Sequence, residues 1–183
     1  MRETIEDLPT ARLGALGTLP DGRKFVVFER DLPHSLSRVW QALVDPQHLA
    51  DWFPGFEMDA RAGGRFDIWF GGDCEGPAHV SGMVSRFEPP SEQAPESERT
   101  AVLECGSMRY ELASNQSIAC GCRLVFTDVL HYEGERSQAD VINSVLGGWH
   151  KYLDALEFSL SGGEYDPRNE PEFDYSRVEI GGR

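Results

Sequence analysis

Apolar residues recur along this chain with two different periods. Over residues 137–161, Ile142, Val145, Leu146, Trp149, Leu153, Leu156 and Leu160 repeat at helical spacing, and at roughly 100° per residue they fall within one arc of about 100° on a polar rod. Ser137, with Asp140 three residues on, resembles a capping box, and Gly162-Gly163 ends the helix. A stripe this wide needs a sheet to lie on. Short segments with a period of two precede it. Residues 23–31 follow the turn signal Pro20-Asp21-Gly22. From Glu57 the alternation resumes: Phe66, Ile68 and Phe70 share one face of a strand while Arg65, Asp67 and Trp69 share the other. Residues 78–87, 100–105, 109–113 and about 118–130 continue the series, with Gly82 expected to mark a bulge.

Between the first strand and the rest, the period changes to that of a helix. Ser35 is placed to cap a helix in which Leu36, Val39, Trp40 and Leu43 repeat at i, i+3, i+4 and i+7. Asp45-Pro46 is a second start signal, for a brief helix from His48 to about Trp52 that Phe53-Pro54-Gly55 terminates. Trp52, Phe53 and Phe56 read either as a hydrophobic plug under the helix pair or as the wall of a ligand cavity. Residues 88–99 are rich in Pro, Ser and Glu and are expected to form a mobile solvated loop. The pattern therefore predicts an α+β domain over residues 23–162: a curved antiparallel sheet of about seven strands gripping a long C-terminal helix, with two short helices after the first strand. Residues 1–22 are expected to be irregular, and 163–183 to form an acidic tail with Tyr165, Phe173 and Tyr175 as anchors.

Composition narrows the partners. The chain has 183 residues, 40% of them hydrophobic, enough to bury one core. A formal charge of −14 repels phosphate backbones and anionic bilayers, so neither nucleic acid nor a membrane surface is expected as a partner. No stretch approaches the ~18 apolar residues of a membrane span. The acidic N-terminus lacks the apolar core of a signal peptide, so a cytoplasmic location is expected. In that reducing setting Cys74, Cys105, Cys120 and Cys122 read as free thiols, since Cys-Gly-Cys has the spacing of neither a zinc knuckle nor a redox pair. No metal site and no cofactor are expected.

Chemistry-bearing residues are few. Asp128 interrupts an inward row of Cys122, Leu124, Phe126 and Leu130. Either its carboxylate finds a donor or a wet cavity, or it lies close enough to the strand end to reach water. His79 and His150 are the other polar candidates, and on the helical wheel His150 and Tyr152 flank the apolar stripe. No glycine-rich phosphate loop and no local Ser-His-Asp or Cys-His spacing is present, so no catalytic residue is named.

Taken with their order, RVWQALVDPQHLADWF, ARAGGRF, the segment 82–90 and GGWHKYLDAL resemble the motifs of the bacterial family similar to the C-terminal domain of the activator of heat-shock-protein-90 ATPase, within the START-like (SRPBCC) superfamily. The likeness covers about residues 23–161. It implies a helix-grip fold with a cavity between sheet and C-terminal helix, roofed by the short helices. It matches Trp52 and Phe53 to the aromatic pair ending the second helix, and Trp149 and Leu153 to the inward face of the long helix. Asp128 falls where the family pattern carries the His of a Thr-His pair, a departure that puts any mechanism relying on that imidazole in question. The cavity set is then Trp52, Phe53, Phe66, Ile68, His79, Phe126, Asp128, Trp149 and Leu153. Three functions follow from the likeness. The first is binding of a small apolar or aromatic ligand without chemistry. The second is a cyclase, aromatase or hydrolase activity in the same cavity. The third is a cochaperone-like interaction with a protein partner or a second copy, for which an outward-facing Trp69 would be the mark.

Overall fold

Eight strands pair antiparallel in the order β1-β2-β8-β7-β6-β5-β4-β3. They come from a computed structural model that describes residues 12–70, 78–118, 120–131 and 137–163. In chain order the elements are β1 (Ala15–Thr18), β2 (Lys24–Leu32), α1 (Leu36–Val44), α2 (Pro46–Trp52), β3 (Phe56–Met58), β4 (Arg65–Phe70), β5 (Ala78–Glu88), β6 (Thr100–Cys105), β7 (Met108–Asn115), β8 (Gly121–Val129) and α3 (Gln138–Leu160). The helix-grip architecture read from the sequence is the architecture observed.

Local chemistry accounts for the helices. The Ser35 hydroxyl accepts from the backbone N–H of Arg38, and the Asp45 carboxylate accepts from those of Gln47 and His48, with Pro46 opening α2. Each cap satisfies a donor that the first helical turn leaves orphaned. Ser137 does the same for α3, accepting from Asp140. The apolar stripe of α3 then lies on the concave face of the sheet, with Leu146, Leu153, Ala155 and Leu156 almost fully buried. Trp52 donates its indole N–H to the Ala42 carbonyl at 2.8 Å, tying α2 to α1.

Two expectations are corrected. Residues 15–18, expected to be irregular, form β1 and bring the strands to eight. A four-residue strand with one buried side chain, Leu16, has too short an alternation to read, and forms because β2 offers it an edge. The bulge expected at Gly82 lies instead between Val84 and Arg86, where the register with β6 shifts. Gly82 serves packing instead, because a Cβ there would sit 2.8 Å from the Phe66 ring and the missing side chain makes room for it. The segment 88–99 contains a 3-10 turn at Glu96–Glu98 and is shaped by Arg99, which donates to the carbonyls of Ala94 and Glu92. Cys74, residues 1–11 and the tail from Glu164 onward lie outside the described residues.

Candidate functional site

Strand alternation and register place the site. Tyr110 pairs with Phe126 and Met108 with Asp128 across β7 and β8. Paired side chains share a face, so Tyr110, Phe126 and Asp128 all stand on the concave side, under α3. Phe66 and Ile68 extend that face on β4, buried at its far end. From the helix side, Trp149 meets Phe126 with ring centroids 4.3 Å apart, and Tyr110 meets Phe126 at 4.8 Å. Phe53, at the end of α2, stacks on Tyr152 at 4.0 Å and contacts Trp149 edge-on at 5.9 Å. Phe70 joins both helix residues at 6.2 and 6.4 Å. The space expected to be a cavity is thus occupied by touching aromatic rings. Phe70 and Tyr152 are only half-buried and form its outer side.

The concave face is not covered throughout. Val80 pairs with the fully buried Ile68 and so shares its face, yet it is 44% exposed. The sheet therefore opens to solvent at this end. Gly106, in the β6–β7 turn with φ of +59°, brings its backbone against the Phe66 ring, where a Cβ would sit 3.1 Å away. Ser107 follows it and closes the turn beside Asp128.

Within these aromatic walls two polar atoms are left over. Asp128 Oδ2 accepts from the Trp149 indole N–H at 2.8 Å, but Oδ1 is buried without a hydrogen-bond partner among the described residues. The Tyr110 hydroxyl is likewise buried and unpartnered, on a residue only 1% exposed. Burial pushes the Asp128 carboxyl above the usual carboxylate range, while the nearby Ser107 hydroxyl, the Trp149 N–H and His131 oppose that shift without reversing it. Burial also pushes the Tyr110 phenol well above its ordinary value, and Cys105 and Asp128 add to the effect. Asp128 is therefore half-buried, with Oδ2 on the Trp149 indole and Oδ1 shielded from solvent. Buried polar groups in folded proteins are nearly always satisfied, so two orphans on one face need an explanation.

The remaining sequence candidates fall elsewhere. His79 does not face the cavity. It pairs with Trp69 on the outer face, stacking on it at 5.0 Å, and its Nε2 lies 2.9 Å from Asp67. Strand phase puts it there, because a residue paired with an outward Trp must itself point outward. The Arg65 guanidinium, with His79 assisting, holds the Asp67 carboxyl down to about 2. Trp69 is outward and 37% exposed, as the interaction reading requires. Leu153, on α3, and Trp52, at the end of α2, are both buried. His150, which flanks the apolar stripe where it could reach the cavity rim or solvent, is 0% exposed and belongs to a separate network. Its Nδ1 lies 3.2 Å from the Arg12 carbonyl and 3.4 Å from Arg30, and its Nε2 lies 3.3 Å from Asp154. Arg30 Nε in turn meets Glu157 at 2.9 Å, and Arg12 reaches both carboxylates at 3.2 and 3.0 Å. No buried His therefore stands beside Asp128 among the described residues. Cys105 and Cys122 are buried free thiols raised to about 12 by desolvation, and Cys120 is exposed.

Sequence reasoning did not single out Tyr110 or Arg30. Both carried a signal: each is a hydrogen-bonding side chain in phase with an inward apolar row, Met108 and Leu112 for the first, Val26, Phe28 and Leu32 for the second. A separate surface pocket of about 360 Å³ lies where β7 turns into β8, lined by Leu36, Ser114, Asn115, Ile118 and Cys120 among others. It contains none of the orphaned polar atoms. Among the described residues no helix is long and apolar enough to cross a membrane.

Comparison with known proteins agrees with this architecture. Residues 33–160 match the family described as Activator of Hsp90 ATPase homolog 1-like protein. The solution structure of CalU16 from Micromonospora echinospora is similar at 21% identity, over 91% of this chain and 85% of that one, with a TM-score of 0.53. The solution structure of the protein encoded by BPP1335 of Bordetella parapertussis is similar at 25% identity over 84% and 82%, with a TM-score of 0.53. The structure of the Enterococcus faecalis protein EF2215, of unknown function, shares 15% identity over 92% and 87%, also at 0.53. No curated protein matches by sequence.

Proposed function

The chain belongs to the Activator of Hsp90 ATPase homolog 1-like family, and from that premise we propose that it binds a small, largely apolar or aromatic molecule between the sheet and α3. The observation that supports this reading is the pair of buried, unpartnered polar atoms, Tyr110 Oη and Asp128 Oδ1, inside an otherwise aromatic interior. Apolar walls with a few convergent polar groups are the usual make-up of a small-molecule site. The ligand enters at the open end marked by Val80, by displacing the half-buried Phe70 and Tyr152. Trp149 then does double duty, offering one face to the ligand while its N–H holds Asp128 in place. No reaction is assigned to Asp128 or to Tyr110, the titratable group that shares its face.

The test is to purify the protein gently and compare native with denaturing mass spectrometry. An adduct of one small molecule per chain, lost on denaturation and absent from Phe126→Ala, is the expected result. An unadducted native mass, together with no rise in melting temperature from any aromatic or acyl compound in a thermal screen, contradicts the proposal.

A further inference from the structure

Resting on that binding site, we infer that the polar end of the ligand is a neutral hydroxyl, phenolic or alcoholic, seated between Tyr110 and Asp128, and that the site rejects the corresponding carboxylate. Three observations lead there. First, the two orphaned atoms are neighbours. Tyr110 is paired with Phe126, and Asp128 lies two residues further along the same strand, so the side chains are diagonal partners on one face. Diagonal partners stand about 7–8 Å apart at their origins, and a tyrosine is long enough to bring its hydroxyl back toward the carboxyl. One small group can then meet both.

Second, the two atoms make complementary demands. Asp128 accepts from Trp149 through Oδ2 and has the Ser107 hydroxyl nearby, but Oδ1 meets no donor at hydrogen-bonding geometry among the described residues and has room for one. The Tyr110 hydroxyl can donate or accept. A hydroxyl gives its proton to Asp128 and takes one from Tyr110, satisfying both at once. An ether or ketone only accepts, which leaves Asp128 without a donor. A hydrocarbon leaves both groups unmatched, each at the cost of a buried unsatisfied polar group.

Third, the groups among the described residues that favour an anion here, the Ser107 hydroxyl, the Trp149 N–H and His131, already act on Asp128. The ring faces of Phe126, Trp149 and Tyr152 carry the negative side of the aromatic quadrupole. Arg30 shares the concave face, but it is level with Leu124, four residues along β8 from Asp128, or roughly 13 Å at strand rise. Its guanidinium is also already engaged by Asp154 and Glu157. The imidazole that acts on Asp128 is His131, which lies exposed past the strand end. Asp128 itself repels a second carboxylate, as does the field of a chain with a formal charge of −14. A site built for fatty or aromatic acids would present a cation where this one presents an acid.

Three probes of one shape separate the terms: 2-naphthol, naphthalene and 2-naphthoate, titrated calorimetrically into the full chain at pH 7.5. The wild type is expected to bind 2-naphthol at least tenfold more tightly than either of the others. Tyr110→Phe, which keeps the ring and removes the hydroxyl, should bring the naphthol-to-naphthalene ratio down at least fivefold. Asp128→Asn, which removes the charge and keeps a hydrogen-bonding oxygen for Trp149, should raise 2-naphthoate affinity at least fivefold. Thermal melts of both variants establish that they are folded. If 2-naphthoate binds the wild type as well as 2-naphthol, or Tyr110→Phe leaves the ratio unchanged, the hydroxyl assignment is wrong while the binding site stands. If none of the three binds, the site itself is wrong and the assignment falls with it.

Discussion

Asp128 is the residue at which this molecule departs from simple core packing. Its carboxyl is raised by burial, and the sign of the consequence can be worked out. A carboxyl titrating higher in the folded chain than the unfolded value near 3.8 binds more protons when folded. Stability is therefore lost as pH rises through the window between those two values, and the loss persists at neutral pH. Asp128→Asn escapes it while retaining an acceptor for the Trp149 N–H. Urea unfolding should find the variant more stable than wild type at pH 7.5, with the difference closing toward pH 4. A difference that is the same at both values would mean that Asp128 is not held raised in the folded state. At this scale the sequence was half legible. The alternation alone showed that a charge in the row Cys122, Leu124, Phe126 must find a donor or a wet cavity if it faces inward, and left open that it reaches water at the strand end. Which donor it found could not be read, because Trp149 is brought there by the packing of α3 and not by anything local to β8.

Among the elements, α3 is held twice: by its apolar stripe and by a charged clasp along one flank. Arg30 on β2 and Arg12 reach Asp154 and Glu157 on α3, with His150 between them. Burial pushes Asp154 up, but His150, Arg12 and Arg30 outweigh it and hold the carboxyl below its ordinary value. Burial lowers Arg30, and the charge of Arg12 adds to that. Removing one member of such a cluster strands the others. Arg30→Met keeps much of the volume and deletes the charge, and is expected to cost about 2 kcal/mol, below the 3–5 kcal/mol range for fully buried pairs because the carboxylates are partly solvated. A double-mutant cycle with Asp154→Asn should show coupling of about 1 kcal/mol or more. Additivity within error would mean that the clasp contributes shape and not electrostatics. The helices themselves were easily read, since Ser35, Asp45-Pro46 and Ser137 each announce a start through a capping side chain. β1 was not, because a strand with one buried residue exists only through its neighbour. His79 was misplaced for a related reason: the face on which a strand residue lies is fixed by its register with the next strand, and its own sequence context cannot supply that.

For the molecule as a whole, the order of elements was more informative than any single residue, since a strand, two short helices, a run of strands and a long amphipathic helix can bury their apolar faces together in few ways. The outer face is charged and paired, with Arg65–Asp67, Arg86–Glu88 and Arg123–Asp31 contacts that are exposed and contribute little to stability. The interior was less legible, because apolar cores and apolar ligand sites use the same side chains. What separates them here is the pair of unpartnered polar atoms, and these appear only once the strands are in register. The most direct measurement follows the Trp149 indole N–H in proton–nitrogen spectra, assigned through Trp149→Phe, as 2-naphthol is added to labelled protein. The account predicts that this resonance shifts together with the amides of Tyr110, Phe126 and Asp128. Shifts confined to residues 114–121, at the pocket beside Ile118 and Cys120, with the Trp149 signal unmoved, would contradict it and place binding at the other end of the sheet.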